Sequence, residues 1–164
     1  FLHLGLTCVH PDYRSLGLTH KMVSKLTTQH LIRNGLHKKV WFSNIAAVIS
    51  SLGNVGKSLD QVYPSPSMAQ PTAKHKAIAK AMDKRYRDLV YIGKEYAFSE
   101  DKFVFYGSGR HDICFQKQAS DTRYHHRNPD INKFYLDLLD LDRGDEMIQV
   151  GHYSLLTLLR YIKK

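Results

Sequence analysis

The chain has little cysteine: Cys8 and Cys114 are its only two. They lie far apart and without metal-ligand spacing, so neither a disulfide framework nor a zinc site is expected, and a reducing, cytoplasmic context is. Long apolar runs are lacking too. No stretch has the length of a membrane-spanning helix and none resembles a signal peptide, so no membrane partner is expected. Internal repeats and low-complexity tracts are absent, which sets aside solenoids and flexible linkers. Acidic residues are the scarcer sign, 15 against 24 Lys and Arg, for a formal net charge of +9. Such a balance suits a polyanionic partner: nucleic acid, acidic lipid or a phosphorylated cofactor. An initial methionine is missing as well. The chain opens on Phe1, inside what reads as a strand, and is expected to be a fragment or a processed product.

What is present is a globular composition. With 164 residues, 43% hydrophobic and 24% charged, the chain has enough apolar material for one domain and too little length for two. Phe1 to Val9 reads as a strand, with Leu2, Leu4, Leu6 and Cys8 on one side. Pro11 ends it, because proline cannot donate to a ladder. From Leu18 the positions Leu18, Met22, Val23 and Leu26 share one helical face, and Asn34-Gly35 supplies the stop. Lys39 to Phe42 reads as a second strand, which makes a strand–helix–strand unit, most naturally parallel.

Ile45 to Leu52 is expected as a short helix closed by Gly53. After a loop rich in proline and serine, Pro71 suits a first helical turn, and Thr72 to Tyr91 carries the stripe Ile78, Ala81, Met82, Leu89 and Val90. Lys102–Tyr106 and His111–Phe115 flank Gly107-Ser108-Gly109-Arg110, a hairpin signal. Ile131 to Leu139 is expected to be helical, Met147 to Val150 a last strand, and Tyr153 to Ile162 a closing helix.

The segment from Cys8 to Thr19, CVHPDYRSLGLT, runs from a strand into a helix. A helix start leaves its first N–H groups without intrahelical partners, and with the helix dipole they favour an anion wherever the backbone can come close. Gly17 permits that approach. Arg14 adds a charged fork, and Ser15 and Thr19 add hydroxyls.

The run Val9-x-Pro11-x-Tyr13-Arg14-x-x-Gly17-Leu18-x-x-x-Met22 resembles the acyl-coenzyme A binding motif of the GNAT superfamily of N-acetyltransferases. Phe42 to Ala47 resembles that family's Asn-x-x-Ala helix start, through Asn44 and Ala47. Together these matches cover about the first third of the chain. The resemblance implies an α/β fold with a mixed sheet and flanking helices, its N-terminal part missing. Residues 1–53 would form the acyl-coenzyme A binding core and 54–164 an atypical remainder of the same domain.

It further implies that Cys8 and Val9 align the pantetheine on a strand that splays from its neighbour. The backbone from Arg14 through Ser15, Leu16, Gly17 and Leu18 to Thr19 would hold the pyrophosphate, and Asn44 would meet the pantetheine. Two departures stand out. Thr19 occupies a position where the family prefers Gly or Ala, and Ser51 falls where many members carry a tyrosine acid.

Acylating an amine needs a base for the incoming ammonium and an acid for the departing thiolate. The family's strand glutamate has no counterpart in Phe1 to Val9, where His3 is the titratable side chain apart from Cys8. His3 and Ser51 are therefore the catalytic candidates, with acetyl-CoA or another acyl-CoA as co-substrate and no metal. His125-His126 lacks ligand spacing and reads as a solvated pair. Arg143-Gly144-Asp145 reads as a polar turn. The basic face Lys74 to Arg87 reads as solvated rather than as a nucleic-acid stripe.

The expected function is transfer of an acyl group from acyl-coenzyme A to a primary amine, on a small molecule or a protein, and a homodimer is compatible with it. The runner-up is a non-catalytic domain of the same fold that binds nucleic acid or protein through its basic surface, or an acyl-coenzyme A sensor.

Overall fold

The structure is a computed structural model and describes residues 1–5, 9–13, 16–111 and 116–162. The architecture is α/β: a mixed sheet flanked by helices. Strand β1 (Leu2–Leu4) leads through a short 3-10 turn at Pro11–Tyr13 into helix α1 (Leu18–Asn34). Strand β2 (Val40–Ala46), helix α2 (Ile49–Ser58) and strand β3 (Asp60–Tyr63) follow. Next come α3 (Ala73–Arg85), the short strands β4 (Phe98–Ser99) and β5 (Val104–Phe105), and α4 (Pro129–Leu136). Strand β6 (Glu146–Tyr153) and helix α5 (Leu155–Ile162) complete the fold.

Strands β1 and β2 are parallel, as the strand–helix–strand reading requires, with Leu2 opposite Phe42 and Leu4 opposite Asn44. Strand β6 runs antiparallel beside β2, from Val40 opposite Tyr153 to Ala46 opposite Met147. On its other edge β6 takes β5 near its start and β3 near its end. It is therefore the central strand, and all its residues after Glu146 are buried. Period-2 alternation sorts its side chains between two helical layers. Ile148 and Val150 pack with Ile78, Ala79 and Met82 of α3. Met147 instead joins Ile49, Leu52, Ile131 and Tyr135 of α2 and α4. Gly151 is required for space, because a Cβ there would sit 2.9 Å from the Phe42 ring and from Val62.

Several local expectations change. The Phe1–Val9 strand is described as strand only over Leu2–Leu4, and 6–8 lie outside the described residues. Helix α1 starts and stops at the glycines expected, Gly17 (φ 67°) and Gly35 (φ 105°). Its inward stripe is Val23, Thr27 and Leu31, while Met22 and Leu26 point to solvent. Leu31 sets that face by packing with Val40, Phe42 and Leu158. Thr27 is tolerated there because its hydroxyl donates to Val23 O at 2.8 Å.

The helix expected at Ile45–Leu52 gives way to strand. Ile45 and Ala46 pair with Ile148 and Met147, so α2 begins at Ile49 and Gly53 lies inside it. The long helix from Thr72 stops at Arg85, because Arg87 turns back to donate to Asp83, Gly93 O and Tyr96 O. Pro71 precedes the cap, Thr72, instead of occupying the first turn. The turn expected at Gly107–Arg110 takes another form, and most of the second arm of the expected hairpin lies outside the described residues. Gly107 N–H donates to Asp145 and Gly109 N–H to Gly144 O, so Ser108–His111 becomes a 3-10 turn and β5 pairs with β4 and β6. Residues 112–115, with Cys114, lie outside the described residues.

Candidate functional site

The end of the sheet at which β1 terminates is where the strand-to-helix turn begins. Among the described residues Leu4–Asn44 is the last β1–β2 pair, and β2 continues through Ile45 and Ala46, which pair with β6. The described β1–β2 pairing stops before Gly5, and 6–8 lie outside the described residues. Beyond them the chain makes the 3-10 turn, closed by Tyr13 N–H donating to His10 O at 3.0 Å. Cys8, Arg14 and Ser15 lie outside the described residues; Val9 is half-buried, and Leu16, Gly17 and Thr19 are exposed with Leu18 half-buried.

Gly17 adopts the left-handed conformation that glycine reaches without strain, and among the described residues nothing lies within 4 Å of where its Cβ would be. Among the described residues no side chain caps this helix start, and no acidic residue stands in its first turn. First-turn amides have no intrahelical partners and carry a positive potential. An open glycine at a helix start leaves room for an anionic group such as a phosphate.

Asn44 departs from its expected setting. It lies within β2, not at a helix start, and is buried. Its Nδ2 donates to Gln149 Oε1 at 3.4 Å. Gln149 Nε2 lies 3.2 Å from Leu52 O, 3.1 Å from Pro64 O and 2.9 Å from the Tyr135 hydroxyl. Burial pushes the Tyr135 hydroxyl above its ordinary pKa, so it stays protonated and donates. This network ties Asn44 to the first turns of α2, where Ser51 is half-buried and directly precedes Leu52.

His3 lies on the opposite face of the sheet. It is the register partner of Ser43, with Nδ1 3.0 Å from Ser43 Oγ. Packing of the ring against the sheet lowers its pKa, so the imidazole is neutral near pH 7. In the tautomer whose Nδ1–H donates to Ser43, Nε2 holds the lone pair that a base needs.

Sequence reading did not single out Gln149, Tyr135 or a second polar cluster at the other end of β2. There Trp41 stacks edge-on with His75 and His152, at 5.1 and 5.3 Å between ring centroids. His75 bonds Thr72 Oγ1 at 2.6 Å and Gln61 O at 2.7 Å; His152 Nε2 bonds Gln61 Oε1 at 3.1 Å. A cleft of about 570 Å³ lies beside His152, lined also by Lys39, Asp60 and Arg160. The available signal was the polar interruption of an otherwise apolar strand by Gln149 and His152.

Two motifs acquire a structural role. His125 and His126 are half-buried and bonded to backbone, at Ala119 O and Asn128 N–H, and so are not a solvated pair. The Asp145 of Arg143-Gly144-Asp145 is fully buried and anchors Gly107, Asp140 and Arg143. Among the described residues, no group of three or more His, Cys, Asp or Glu is placed to hold a metal. Compared with family models, curated sequences and solved structures, the chain matches none, so its reading rests on this turn, this sheet and these side chains.

Proposed function

We propose that the chain is an acyl-coenzyme A dependent N-acyltransferase of the GNAT type, acting on a primary amine. One observation carries the reading: among the described residues the parallel β1–β2 pairing ends at Leu4–Asn44, at the same end of the sheet where α1 begins on an open, left-handed glycine. In the family that the sequence resembles, a splayed strand receives the pantetheine, and such a turn receives the pyrophosphate. The mixed α/β sheet is compatible with that fold.

On this reading the N–H groups of Leu18 and Thr19 hold the pyrophosphate with Arg14 and Ser15, and Val9 and Cys8 align the pantetheine. Asn44 acts through its backbone and through Gln149, since its side chain is engaged there. When bound, acyl-coenzyme A supplies the thioester carbonyl and the thiolate leaving group. His3 is neutral and accepts the ammonium proton at Nε2, while Ser43 holds the ring. Ser51 is restricted to donating a hydrogen bond, because a hydroxyl is too weak an acid to surrender its proton to a thiolate.

The test is thermal melting with acetyl-coenzyme A, followed by thiol release with a panel of amines. The reading requires a melting shift that grows with coenzyme concentration, and thiol release with at least one amine. A shift without release means a sensor. The charge of +9 favours a second reading, a binding domain for nucleic acid. No shift with the coenzyme, together with a salt-sensitive shift with an oligonucleotide, would establish that reading and end the first.

A further inference from the structure

Helix α1 is apolar on two opposite faces. Val23, Thr27 and Leu31 face the core. On the other side Met22, Leu26 and Ile32 are 51%, 58% and 63% exposed, and Leu36 just beyond the helix is 47% exposed. At 100° per residue, Lys21, Lys25 and Arg33 interleave with these side chains on the same outer face, and all three are exposed. None of the three is paired with a carboxylate among the described residues. From Tyr13 to Leu59 the sequence carries no Asp or Glu at all, while Lys38 and Lys39 extend the basic surface past the end of α1.

An exposed apolar stripe of this kind marks an interaction surface, and its charge selects the occupant. A second copy of the chain docked through the same face would oppose like charges with no acid to relieve them. Nucleic acid would match the cations, but Met22, Leu26 and Ile32 would then be pressed against phosphates, with no aromatic among them to stack on a base. A lipid interface satisfies both halves, with cations at headgroup phosphates and aliphatic side chains in the acyl boundary. A helix of this length lies flat along about 25 Å of such a surface. Among the described residues no helix is long and apolar enough to cross a membrane, so the contact is peripheral.

We propose that the outer face of α1 docks on an anionic phospholipid surface, with Lys21, Lys25 and Arg33 at the headgroups and Met22, Leu26 and Ile32 inserted beneath them. The inference is independent of the acyltransferase reading. Vesicle flotation with the whole chain tests it, comparing phosphatidylcholine alone with phosphatidylcholine containing phosphatidylserine. Binding is expected only with phosphatidylserine and weakens as salt is raised. The triple variant K21Q/K25Q/R33Q should bind about a hundredfold more weakly, at roughly fivefold per cation. M22Q/L26Q/I32Q should lose about tenfold or more, because its inserted apolar surface is gone. Both triplets are solvent-facing, so wild-type circular dichroism and melting are expected of them; K74Q/K80Q/K84Q on α3 should bind like wild type.

No preference of the wild-type chain for phosphatidylserine overturns the proposal whatever the variants do. So does equal binding by M22Q/L26Q/I32Q. So too does tighter capture of a short RNA than of vesicles, or a dimer abolished by M22Q/L26Q/I32Q in a chain that ignores vesicles.

Discussion

Asn44 and Gln149 face each other across the β2–β6 ladder, register partners whose buried side-chain amides meet at 3.4 Å. Gln149 continues the contact to the carbonyls of Leu52 and Pro64, so one amide joins the sheet, α2 and the loop after β3. Without Gln149 these two carbonyls would share the single Tyr135 hydroxyl, 3.3 and 3.4 Å away, and one of them would carry its desolvation cost without compensation. Gln149→Leu is therefore expected to cost about 2–3 kcal/mol, more than Tyr135→Phe at about 1 kcal/mol. Urea unfolding of the two variants checks the order; a smaller loss for Gln149→Leu would mean that the carbonyls find other donors.

The Gly17 turn separates backbone need from ligand need. Asparagine tolerates the left-handed region, whereas a β-branched side chain does not. Gly17→Asn should leave the melting temperature within a few degrees of wild type, yet raise the acetyl-coenzyme A dissociation constant about tenfold or more by filling the open approach. Gly17→Val should be destabilised by about 1–3 kcal/mol as well. Calorimetric titration beside a thermal melt reads both, and undiminished affinity in Gly17→Asn would remove the phosphate from this turn.

Asp83 is buried against Arg87, whose side chain is also mostly enclosed. Burial alone would raise the Asp83 pKa; the hydrogen bonds from Arg87 and Lys84 outweigh it and hold the carboxyl below the usual range. A depressed folded-state pKa gives stability that is present above the unfolded value, near 4, and lost as pH falls through the folded value. The pair should therefore weaken below about pH 4. Arg87→Met should cost about 3 kcal/mol at neutral pH, because it leaves the buried carboxylate with Lys84 alone and removes the donor to Gly93 O and Tyr96 O. Its deficit should shrink in acid, where Asp83 is protonated.

His75 and His152 are lowered chiefly by burial, and Lys39 adds to the effect at His152. A histidine whose folded pKa lies below the unfolded value costs stability as pH falls below about 6.5, because the unfolded chain takes up the proton first. Melting temperature should accordingly drop between pH 7.5 and pH 5, within the range about the ordinary histidine pKa. The double variant His75→Asn/His152→Gln should show a shallower drop. His3 and His126, lowered in the same sense, keep it from vanishing. An unchanged slope would exclude the Trp41 cluster as the acid-sensitive element.

Features with a local cause were legible in the sequence. A positive-φ glycine opens α1 and another closes it, and a helix of this length between two short apolar runs leaves the strands parallel. The last strand and closing helix also fall where patterning put them, with shifted ends. The turn at Gly17 belongs to the same class, because glycine there answers a backbone requirement that needs no distant partner.

The rest was decided by residues far along the chain. Asn44, Ile45 and Ala46 read as a helix start until 147–149 pair with them, and a ladder between buried strands outweighs a weak local helix preference. Helix α1 offers two apolar stripes, and periodicity alone cannot choose between them; Leu31, packed on Phe42 and Leu158, does. Likewise Gly107–Arg110 has the composition of a hairpin turn, but buried Asp145 takes its first amide and redirects β5 to β4 and β6. Local chemistry determined where the backbone bends and caps. Burial and long-range pairing decided which face is core, which strand is central, and which side chains remain at the surface to meet a ligand or a membrane.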